Sequence, residues 1–255
     1  MTEWNSEQYL KFKKQRTQPA IDLARRIESF AAQSVLDLGC GPGNSTRVLK
    51  EFFPDAHIIG IDSSRQMIEK AIAENPDLEF QHKSAEDICQ SENTYDLIFS
   101  NACLQWIPDH QKLLPQLFSR LNKNGILAVQ VPINAKEPLF QIIEETISEE
   151  KWSSLSHIRE NTNALDGGAY HDILSSLTQN FDIWETTYFH RMPSIHSIIE
   201  WVKGTRLMPY MQALSSEDAE CLVDEIEEKA SAVYKTQENG EIIFRFRRLF
   251  FIAVR

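Results

Sequence analysis

The stretch of sequence that decides the fold is Val35–Thr46, which reads Val-Leu-Asp-Leu-Gly-Cys-Gly-Pro-Gly-Asn-Ser-Thr. A short apolar run ends here in a glycine-rich turn, and Asn44 or Ser45 can begin a helix directly after it. Glycines let the bare backbone come close to a bound ligand. The stretch therefore predicts a strand, a turn and a helix that hold a nucleotide-like cofactor, although the same glycines would also suit an ordinary turn.

The acid inside this stretch indicates the charge of the ligand. In a dinucleotide site the turn would bind a pyrophosphate at the helix N-terminus, and Asp37 would repel that anion. The glycine spacing is also G-x-G-x-G, with Asn44 where the dinucleotide pattern requires glycine or alanine. Asp37 would instead attract a cation. We therefore expect S-adenosylmethionine, which carries an ammonium and a sulfonium, with Gly39 and Gly41 close to it.

A second acid follows the next apolar run. The segment His57–Asp62 reads as a strand that ends in an acid roughly twenty positions after the glycine turn, where an acid can accept hydrogen bonds from both ribose hydroxyls. Asp62 can also cap the helix that is predicted to start in Ser63–Met67, and the two roles are compatible. We place Asp62, Ser63 and Met67 in the cofactor site.

Strands and helices alternate along the first half of the chain. Strands are predicted near 34–38, 57–61, 78–82, 95–100 and 125–131, with helices near 44–53, 64–74 and 109–121. This alternation favours an α/β fold with a doubly wound, mostly parallel sheet of the Rossmann-like type. Ligands of such a sheet bind beyond the carboxyl ends of its strands.

The pattern changes after Pro132. Helical periods appear in 139–150 and 194–236, and β-like runs appear in 181–190 and 242–254. We expect the two β-like runs to complete a seven-stranded sheet as an antiparallel edge pair. Residues 1–255 then form a single domain with a core of about 30–132 plus these two strands, and with a helical cap of about 133–180 and 191–240.

Two further segments have simpler interpretations. Residues 9–30 predict a helix that Pro19 breaks or restarts, because proline lacks a backbone N–H. The acidic cluster in 217–228 is typical of a solvated helix face rather than of a binding site.

Composition narrows the function class. The chain of 255 residues has 37 acidic and 26 basic side chains and a net charge of -11, which repels nucleic acid and anionic membranes. Its four cysteines lack metal-ligand or CxxC spacing, so neither a disulfide framework nor a metal site is predicted. No signal peptide or membrane-length apolar run is evident. We therefore expect a cytoplasmic enzyme with a small-molecule substrate.

Side chains after the third and fourth predicted strands extend the cofactor site. Asp87 can accept a hydrogen bond from the exocyclic amine of adenine while Ile88 covers one face of the ring, unless Asp87 only caps the next helix. Asn101 and Gln105 can position the cofactor tail or the substrate. Trp106 supplies a wide apolar wall.

Segments spread over nearly the whole chain form a family pattern. They are Trp4–Asn5 with Tyr9, Asp37–Thr46, Gly60–Ser64, Asp96–Phe99, Leu104–His110, Asp182–Tyr188, Met192–Pro193, Glu200–Val202 and Gln237–Gly240. Together they resemble the class I S-adenosylmethionine-dependent methyltransferases. The resemblance implies methyl transfer to a carboxylate of a small polycarboxylic acid, with trans-aconitate as the expected substrate and a monomethyl ester and S-adenosylhomocysteine as products. Because a carboxylate is ionised at neutral pH, no catalytic general base is expected.

Such a substrate needs local positive charge despite the acidic chain. Arginine can hold a carboxylate through two parallel hydrogen bonds, which makes Arg16, Arg206 and the run Arg245–Arg248 candidates. Period-two alternation in the last strand puts Arg245 and Arg247 on a solvated face. Gln18 and the placement of Arg206 depart from the family's usual pattern. The expected substrate-site residues are Trp4, Tyr9, Arg16, Tyr170, His171 and Arg206.

Two other functions are compatible with the sequence. The first is ester formation on a malonyl group carried by a protein, but acyl carriers are acidic and would require an exposed basic patch on this acidic chain. The second is a regulatory protein that binds S-adenosylmethionine without turnover. It would require a cap that admits no substrate.

Overall fold

The computed structural model of the protein describes residues 13–158 and 163–255, with side chains described from Thr17 onward in the first range. The helices are α1 (Lys13–Arg26), α2 (Asn44–Phe52), α3 (Arg65–Glu74), α4 (Ala85–Gln90), α5 (His110–Ser119), α6 (Pro138–Ile147), α7 (Gly167–Leu177), α8 (Ile195–Lys203), α9 (Met208–Gln212) and α10 (Ser216–Val233), with 3-10 helices at Leu104–Trp106 and Glu150–Leu155. The strands are β1 (Ser34–Leu38), β2 (His57–Asp62), β3 (Glu79–His82), β4 (Tyr95–Asn101), β5 (Leu121–Pro132), β6 (Phe181–Met192) and β7 (Ile242–Val254).

The strands form one seven-stranded sheet in the order β3-β2-β1-β4-β5-β7-β6. Strand β1 pairs in parallel with β2 and β4, and parallel pairing continues from β2 to β3 and from β4 to β5. Strand β7 runs antiparallel to β5, and β6 forms the outer edge beside it. The predicted doubly wound, mostly parallel, seven-stranded sheet is confirmed.

The central strands are buried on both faces, as crossover helices require in a parallel sheet. Leu36 of β1, Leu97 of β4 and Leu127 of β5 have no exposed surface. Polar side chains in these strands are therefore exceptions, and those near the carboxyl ends define the site described below.

The chain divides into two compact units. The sheet unit contains the described residues 16–132, 163–186 and 248–255, and the helical unit contains 13–15, 133–158 and 187–247. The predicted cap included residues 163–180, but α7 clusters with the sheet unit. The reason is apolar packing, because the rings of Tyr170 in α7 and Phe251 in β7 lie 5.1 Å apart.

The helical unit has an apolar core of its own. Trp201, Phe244 and Phe246 are buried there, and the two phenylalanine rings lie 5.8 Å apart in an edge-to-face arrangement. None of the helices in the described ranges is long and apolar enough to cross a membrane.

Three predicted boundaries were wrong for local reasons. Helix α1 continues through Pro19, which therefore does not break it. Strand β5 begins at Leu121 rather than near 125, because a register shift between Tyr95 and Leu97 lets the strand include Asn124, whose φ is 63°. The helical run predicted over 194–236 is three helices, and the last one begins after Ser215, whose hydroxyl accepts a hydrogen bond from the Asp218 N–H.

Candidate functional site

Three acidic or amide side chains project from one face of the sheet at the carboxyl ends of β1, β2 and β4. Asp37 is paired in register with Phe99, so Asn101, two residues further along β4, lies on the same face. Asp37 is also paired with Gly60, which puts Asp62 on that face by the same alternation. Three of the side chains predicted for the cofactor site therefore lie on one face of the sheet, at its carboxyl edge.

The glycine turn lies directly beyond β1. A Cβ on Gly39 would come within 2.1 Å of the Cys103 sulfur, so only glycine fits this close approach. Gly41 has a φ of 54°, and a Cβ there would meet nothing within 4 Å. The backbone at Gly41 therefore borders open space that a ligand can occupy.

Asp62 fastens this turn to the end of β2. Its two carboxylate oxygens accept hydrogen bonds from the Gly41 N–H at 3.0 Å and the Ser64 N–H at 2.8 Å. Burial raises the pKa of Asp62, and these two N–H groups oppose the rise. Asp62 does not cap α3, because the N-cap is Ser64, whose hydroxyl accepts a hydrogen bond from the Met67 N–H. Ser63 between them is exposed.

Asp37 is completely buried beneath the turn. Its Oδ2 accepts hydrogen bonds from the Ser45 hydroxyl at 2.7 Å and the Thr46 hydroxyl at 2.6 Å, both at the start of α2. Asn44, the first residue of α2, is half-buried beside them. Burial raises the pKa of Asp37 to about 6 despite the two hydroxyl donors. Its second oxygen, Oδ1, has no hydrogen-bond partner among the residues that the structure describes.

Two further acceptor oxygens at this edge of the sheet are buried without a partner in the described ranges. They are Asn101 Oδ1 and Gln105 Oε1, although the Gln105 amide donates a hydrogen bond to the Ala102 carbonyl at 2.7 Å. Leaving a buried acceptor unpaired costs about 1–3 kcal/mol. Together with Asp37 Oδ1, these atoms fit a ligand that brings N–H donors and positive charge, as the ammonium tail of S-adenosylmethionine does.

The residues predicted to bind adenine have other partners. Asp87 Oδ2 accepts hydrogen bonds from the backbone N–H and the hydroxyl of Ser84, which lowers the pKa of Asp87 and completes a capping box on α4. The structure thus shows the capping alternative for Asp87, and Ile88 is packed in the core. Trp106 is 55% exposed on its 3-10 helix. Adenine contacts by Asp87 and Ile88, and the apolar wall expected from Trp106, stay predictions.

Tyr170 is a buried residue that stabilises the sheet unit. It has no exposed surface, and its hydroxyl lies 2.9 Å from His110 Nδ1, while His110 Nε2 lies 2.8 Å from the Leu104 carbonyl. Tyr170 thereby supports the 3-10 helix that carries Gln105, and its predicted contact with the substrate stays a prediction. His171, the next residue, is exposed and its ring packs edge-on against another ring.

Of the predicted substrate arginines Arg16 and Arg206, only Arg206 has a described side chain. Trp4, Tyr9 and the side chain of Arg16 lie outside the described residues. Arg206 is buried in the helical unit, where its guanidinium donates to Glu144 at 2.7 Å and lies over the Phe140 ring. Burial lowers the pKa of Arg206.

One residue near this edge, Gln130 in β5, was not predicted from the sequence. It is completely buried, and neither of its side-chain polar atoms has a partner within the described part of the chain. Arg248 in β7, one of the arginines predicted as candidates for a substrate carboxylate, is also buried. The signal for Gln130 was visible, because it is the one polar residue in the otherwise apolar run Ile126–Val131.

Comparisons with known proteins identify the family of this chain. A family model described as a methyltransferase domain matches residues 29–186, more than half of the chain. Trans-aconitate 2-methyltransferases of Shigella dysenteriae serotype 1 and of Escherichia coli strain 55989 are each 42% identical to this chain over 255 residues, covering 100% of it and 99% of their own length.

Solved structures of low sequence identity share the fold of this chain. The YcgJ protein from Bacillus subtilis matches with a TM-score of 0.60 and 15% identity, covering 93% of this chain and 98% of its own. The plantazolicin methyltransferase BpumL in complex with S-adenosylhomocysteine matches with a TM-score of 0.52 and 16% identity, covering 97% of this chain and 87% of its own. By its family model and its full-length relatives, the chain belongs to the S-adenosylmethionine-dependent methyltransferases, in the group of the trans-aconitate 2-methyltransferases.

Proposed function

We propose that the protein transfers the methyl group of S-adenosylmethionine to one carboxylate of trans-aconitate, which gives a monomethyl ester and S-adenosylhomocysteine. The observation that carries this proposal is the set of unpaired buried acceptors at the carboxyl edge of the sheet, Asp37 Oδ1, Asn101 Oδ1 and Gln105 Oε1. The relatives at 42% identity over the whole chain, which are named trans-aconitate 2-methyltransferases, support the choice of acid.

The residues of this edge bind and orient the cofactor. Asp37, Asn101 and Gln105 accept hydrogen bonds from the ammonium group, and Asp62, held by the Gly41 N–H, accepts hydrogen bonds from the ribose. When bound, S-adenosylmethionine supplies a methyl group on a sulfonium sulfur that is a good leaving group. The other residues proposed for the cofactor site are Gly39, Asn44, Ser63, Met67, Asp87, Ile88 and Trp106.

The protein's contribution to the reaction is positional. A substrate carboxylate is already ionised at neutral pH, so no side chain has to remove a proton. Holding the carboxylate in line with the methyl group and excluding water can contribute roughly 7–11 kcal/mol in favourable cases. Arg206 and Arg16, with Trp4, Tyr9 and His171, are the residues that we propose for binding the other carboxylates.

The reducing cytoplasm is the proposed place of action. Cys40, Cys89, Cys103 and Cys221 are all free thiols. Unpaired cysteines are usual where glutathione and thioredoxin keep thiols reduced.

A labelled-cofactor assay tests the proposed function. The purified protein is incubated with methyl-labelled S-adenosylmethionine and a panel of di- and tricarboxylic acids, with a malonyl-loaded carrier protein as a separate arm. We expect transfer of label to trans-aconitate as a base-labile ester. Cofactor binding without turnover on any acid would contradict the proposal, and turnover on the carrier alone would replace it.

A further inference from the structure

Gln130 is the most unusual polar residue of the sheet. It lies in β5 with no exposed surface, and its backbone carbonyl accepts a hydrogen bond from the Ala102 N–H at 2.9 Å. Both Nε2 and Oε1 of its side chain lack a partner within the described ranges. Burying an unpaired amide is costly, so Gln130 requires a partner other than the residues that the structure describes.

Strand register places this amide beside the cofactor edge. Gln130 is paired with Asn101 across the parallel β4–β5 ladder, so both side chains lie on the same face as Asp37. Across the antiparallel β5–β7 ladder, Pro132 is paired with Arg248. Alternation along β5 therefore puts the buried Arg248 on the Gln130 face, one step nearer to the carboxyl end of the strand.

The chemistry of the unpaired atoms changes along this edge. Asp37 Oδ1, Asn101 Oδ1 and Gln105 Oε1 can only accept hydrogen bonds, which suits an ammonium group. Gln130 Nε2 is a donor, and the guanidinium of Arg248 adds positive charge near it. This combination suits a carboxylate oxygen.

The position of β5 favours the substrate over the cofactor as the source of that carboxylate. Asp62 of β2, the proposed ribose ligand, and Gln130 of β5 lie on opposite sides of β1 and β4 in the strand order. Neighbouring strands are about 4.8 Å apart, so β2 and β5 are separated by roughly 14 Å. A cofactor whose ribose lies at β2 and whose ammonium lies at β1 and β4 leaves the β5 side for the second reactant.

We propose that Gln130 is a substrate-binding and specificity-determining residue. Its amide N–H donates a hydrogen bond to a carboxylate oxygen of the acid, and Arg248 attracts the same end of the acid by its charge. This proposal rests on the proposed function. A neutral amide orients the carboxylate without neutralising its negative charge, which leaves an oxygen nucleophilic enough to accept the methyl group.

The test replaces Gln130 by methionine, which has a similar volume but no N–H donor. The matched control is Val129→Ala, since Val129 is a buried neighbour in β5 whose side chain lies on the opposite face. For each full-length variant, kcat and KM for trans-aconitate are measured together with the melting temperature and the calorimetric Kd for S-adenosylhomocysteine.

We expect Gln130→Met to reduce kcat/KM for trans-aconitate by roughly ten- to a hundredfold, the value of a hydrogen bond to a charged group. Its Kd for S-adenosylhomocysteine stays within about twofold of the wild type, and its melting temperature does not fall, because an unpaired buried amide has been removed. Val129→Ala is expected to lower the melting temperature without changing KM.

A second variant gives a readout that a structural role would not produce. In Gln130→Glu the buried carboxyl is protonated and can donate at low pH but repels the acid once it ionises. We therefore expect KM for trans-aconitate to rise steeply between about pH 6 and pH 8.5 in this variant only.

Each contrary outcome has one meaning. A weakened Kd for S-adenosylhomocysteine with unchanged KM would place Gln130 in the cofactor site and overturn the proposal. Unchanged kinetics and unchanged Kd would overturn the proposal, because the amide would then contact neither reactant. If the wild type methylates no acid, the proposed function fails and this inference fails with it, whereas wild-type turnover with an unaffected Gln130→Met variant refutes the inference alone.

Discussion

Polar side chains of the sheet edge and a half-buried carboxylate of the helical unit differ in how their hydrogen-bonding atoms are satisfied. At the carboxyl edge of the sheet unit, Asp37, Asn101, Gln105 and Gln130 have buried side-chain atoms without partners in the described ranges. In the helical unit, Glu225 accepts hydrogen bonds from Trp152 at 3.0 Å, Lys151 at 2.8 Å and Lys229 at 2.7 Å. The unpaired atoms at the sheet edge destabilise the unliganded protein, and a ligand that hydrogen-bonds to them would remove that cost. The paired Glu225 instead holds α10 to its neighbours.

The pKa values of a carboxyl group from each region are shifted in opposite directions. Burial dominates at Asp37 and raises its pKa to about 6. Burial also acts to raise the pKa of Glu225, but hydrogen bonds from Lys151, Lys229 and Trp152 outweigh it and lower the pKa to about 2. A carboxylate that resists ionisation is therefore prepared for a cationic ligand, whereas a carboxylate with its cations in place stabilises the fold.

The largest effect is expected from Asp62→Ala. Loss of a charge-assisted ribose contact is worth about 1.5–3 kcal/mol, so the affinity for S-adenosylhomocysteine should fall roughly ten- to a hundredfold in a folded protein. Calorimetry measures this change. The control is Asp77→Ala, an exposed acid paired with Arg47, whose removal should leave the affinity unchanged. Equal affinities in wild type and Asp62→Ala would move the ribose contact to another residue.

Asp37→Asn should raise the stability of the protein at alkaline pH and weaken its binding of S-adenosylmethionine. The raised pKa of Asp37 means that its stabilising contribution is complete below its ordinary value of 3.8 and is lost as pH rises through about 6. Because asparagine has no charge to bury, the variant should melt at a higher temperature than the wild type at about pH 8.

The same Asp37→Asn variant should bind S-adenosylmethionine roughly tenfold more weakly, since it cannot attract the ammonium. In the wild type, binding near pH 6 should release a proton, because the cation favours the ionised carboxylate. Thermal scans across pH and calorimetry in buffers of different ionisation enthalpy check both statements. A variant that is less stable at alkaline pH would contradict the assignment of a buried, unpaired charge.

Arg206→Ala tests whether the helical unit contributes to substrate choice. If Arg206 binds a carboxylate that is not the methyl acceptor, its loss should narrow the preference for trans-aconitate over a dicarboxylate by several-fold, because the third carboxylate no longer has a partner. The measurement is the ratio of kcat/KM for the two acids. Arg191→Ala is the matched control, because Arg191 forms an exposed pair with Glu241 in the same unit. An unchanged ratio would remove Arg206 from the substrate site.

The smallest effect is expected from Glu225→Gln, which weakens the paired network. It should destabilise the protein by about 1 kcal/mol, or roughly 2–4 °C in Tm, without altering KM or kcat. Since the pKa of Glu225 is lowered from 4.5 to about 2, its contribution is present above 4.5 and is lost as pH falls towards 2. Glu228→Gln, on an exposed position of the same helix, is the control. A kinetic defect in Glu225→Gln would show that this network also serves the reaction.

The sequence predicted the sheet well because its signals are local. Glycines in Val35–Thr46 and acids after apolar runs fixed the strand–turn–helix units, and β1 and β7 fall on the predicted residues. The predicted ends of strands and helices were wrong where a single interaction decides them. The strand predicted near 125–131 begins earlier, because the register shift in β4–β5 keeps Asn124 within it.

Positions at the candidate site were predictable only where chain position alone sets the geometry. Asp37 and Asp62 lie at their strand ends as predicted, because parallel strands end at one edge. The burial of Tyr170 was not predictable, since nothing near it in sequence reveals its contact with His110, which lies on another helix. The capping box of Asp87 was visible in Ser84–Asp87, but spacing cannot rank a cap against a ligand.

The sequence by itself determined the α/β class, the cofactor and the family, because periodicity, glycine spacing and residue type act over short stretches of chain. Only the tertiary structure decided which polar groups withdrawn from solvent have hydrogen-bond partners. That property depends on partners from distant strands and helices, as for Glu225 with Trp152 and Lys151, or on their absence, as for Gln130 among the described residues. The free energy of a buried polar atom is set by its three-dimensional surroundings, which no local pattern records.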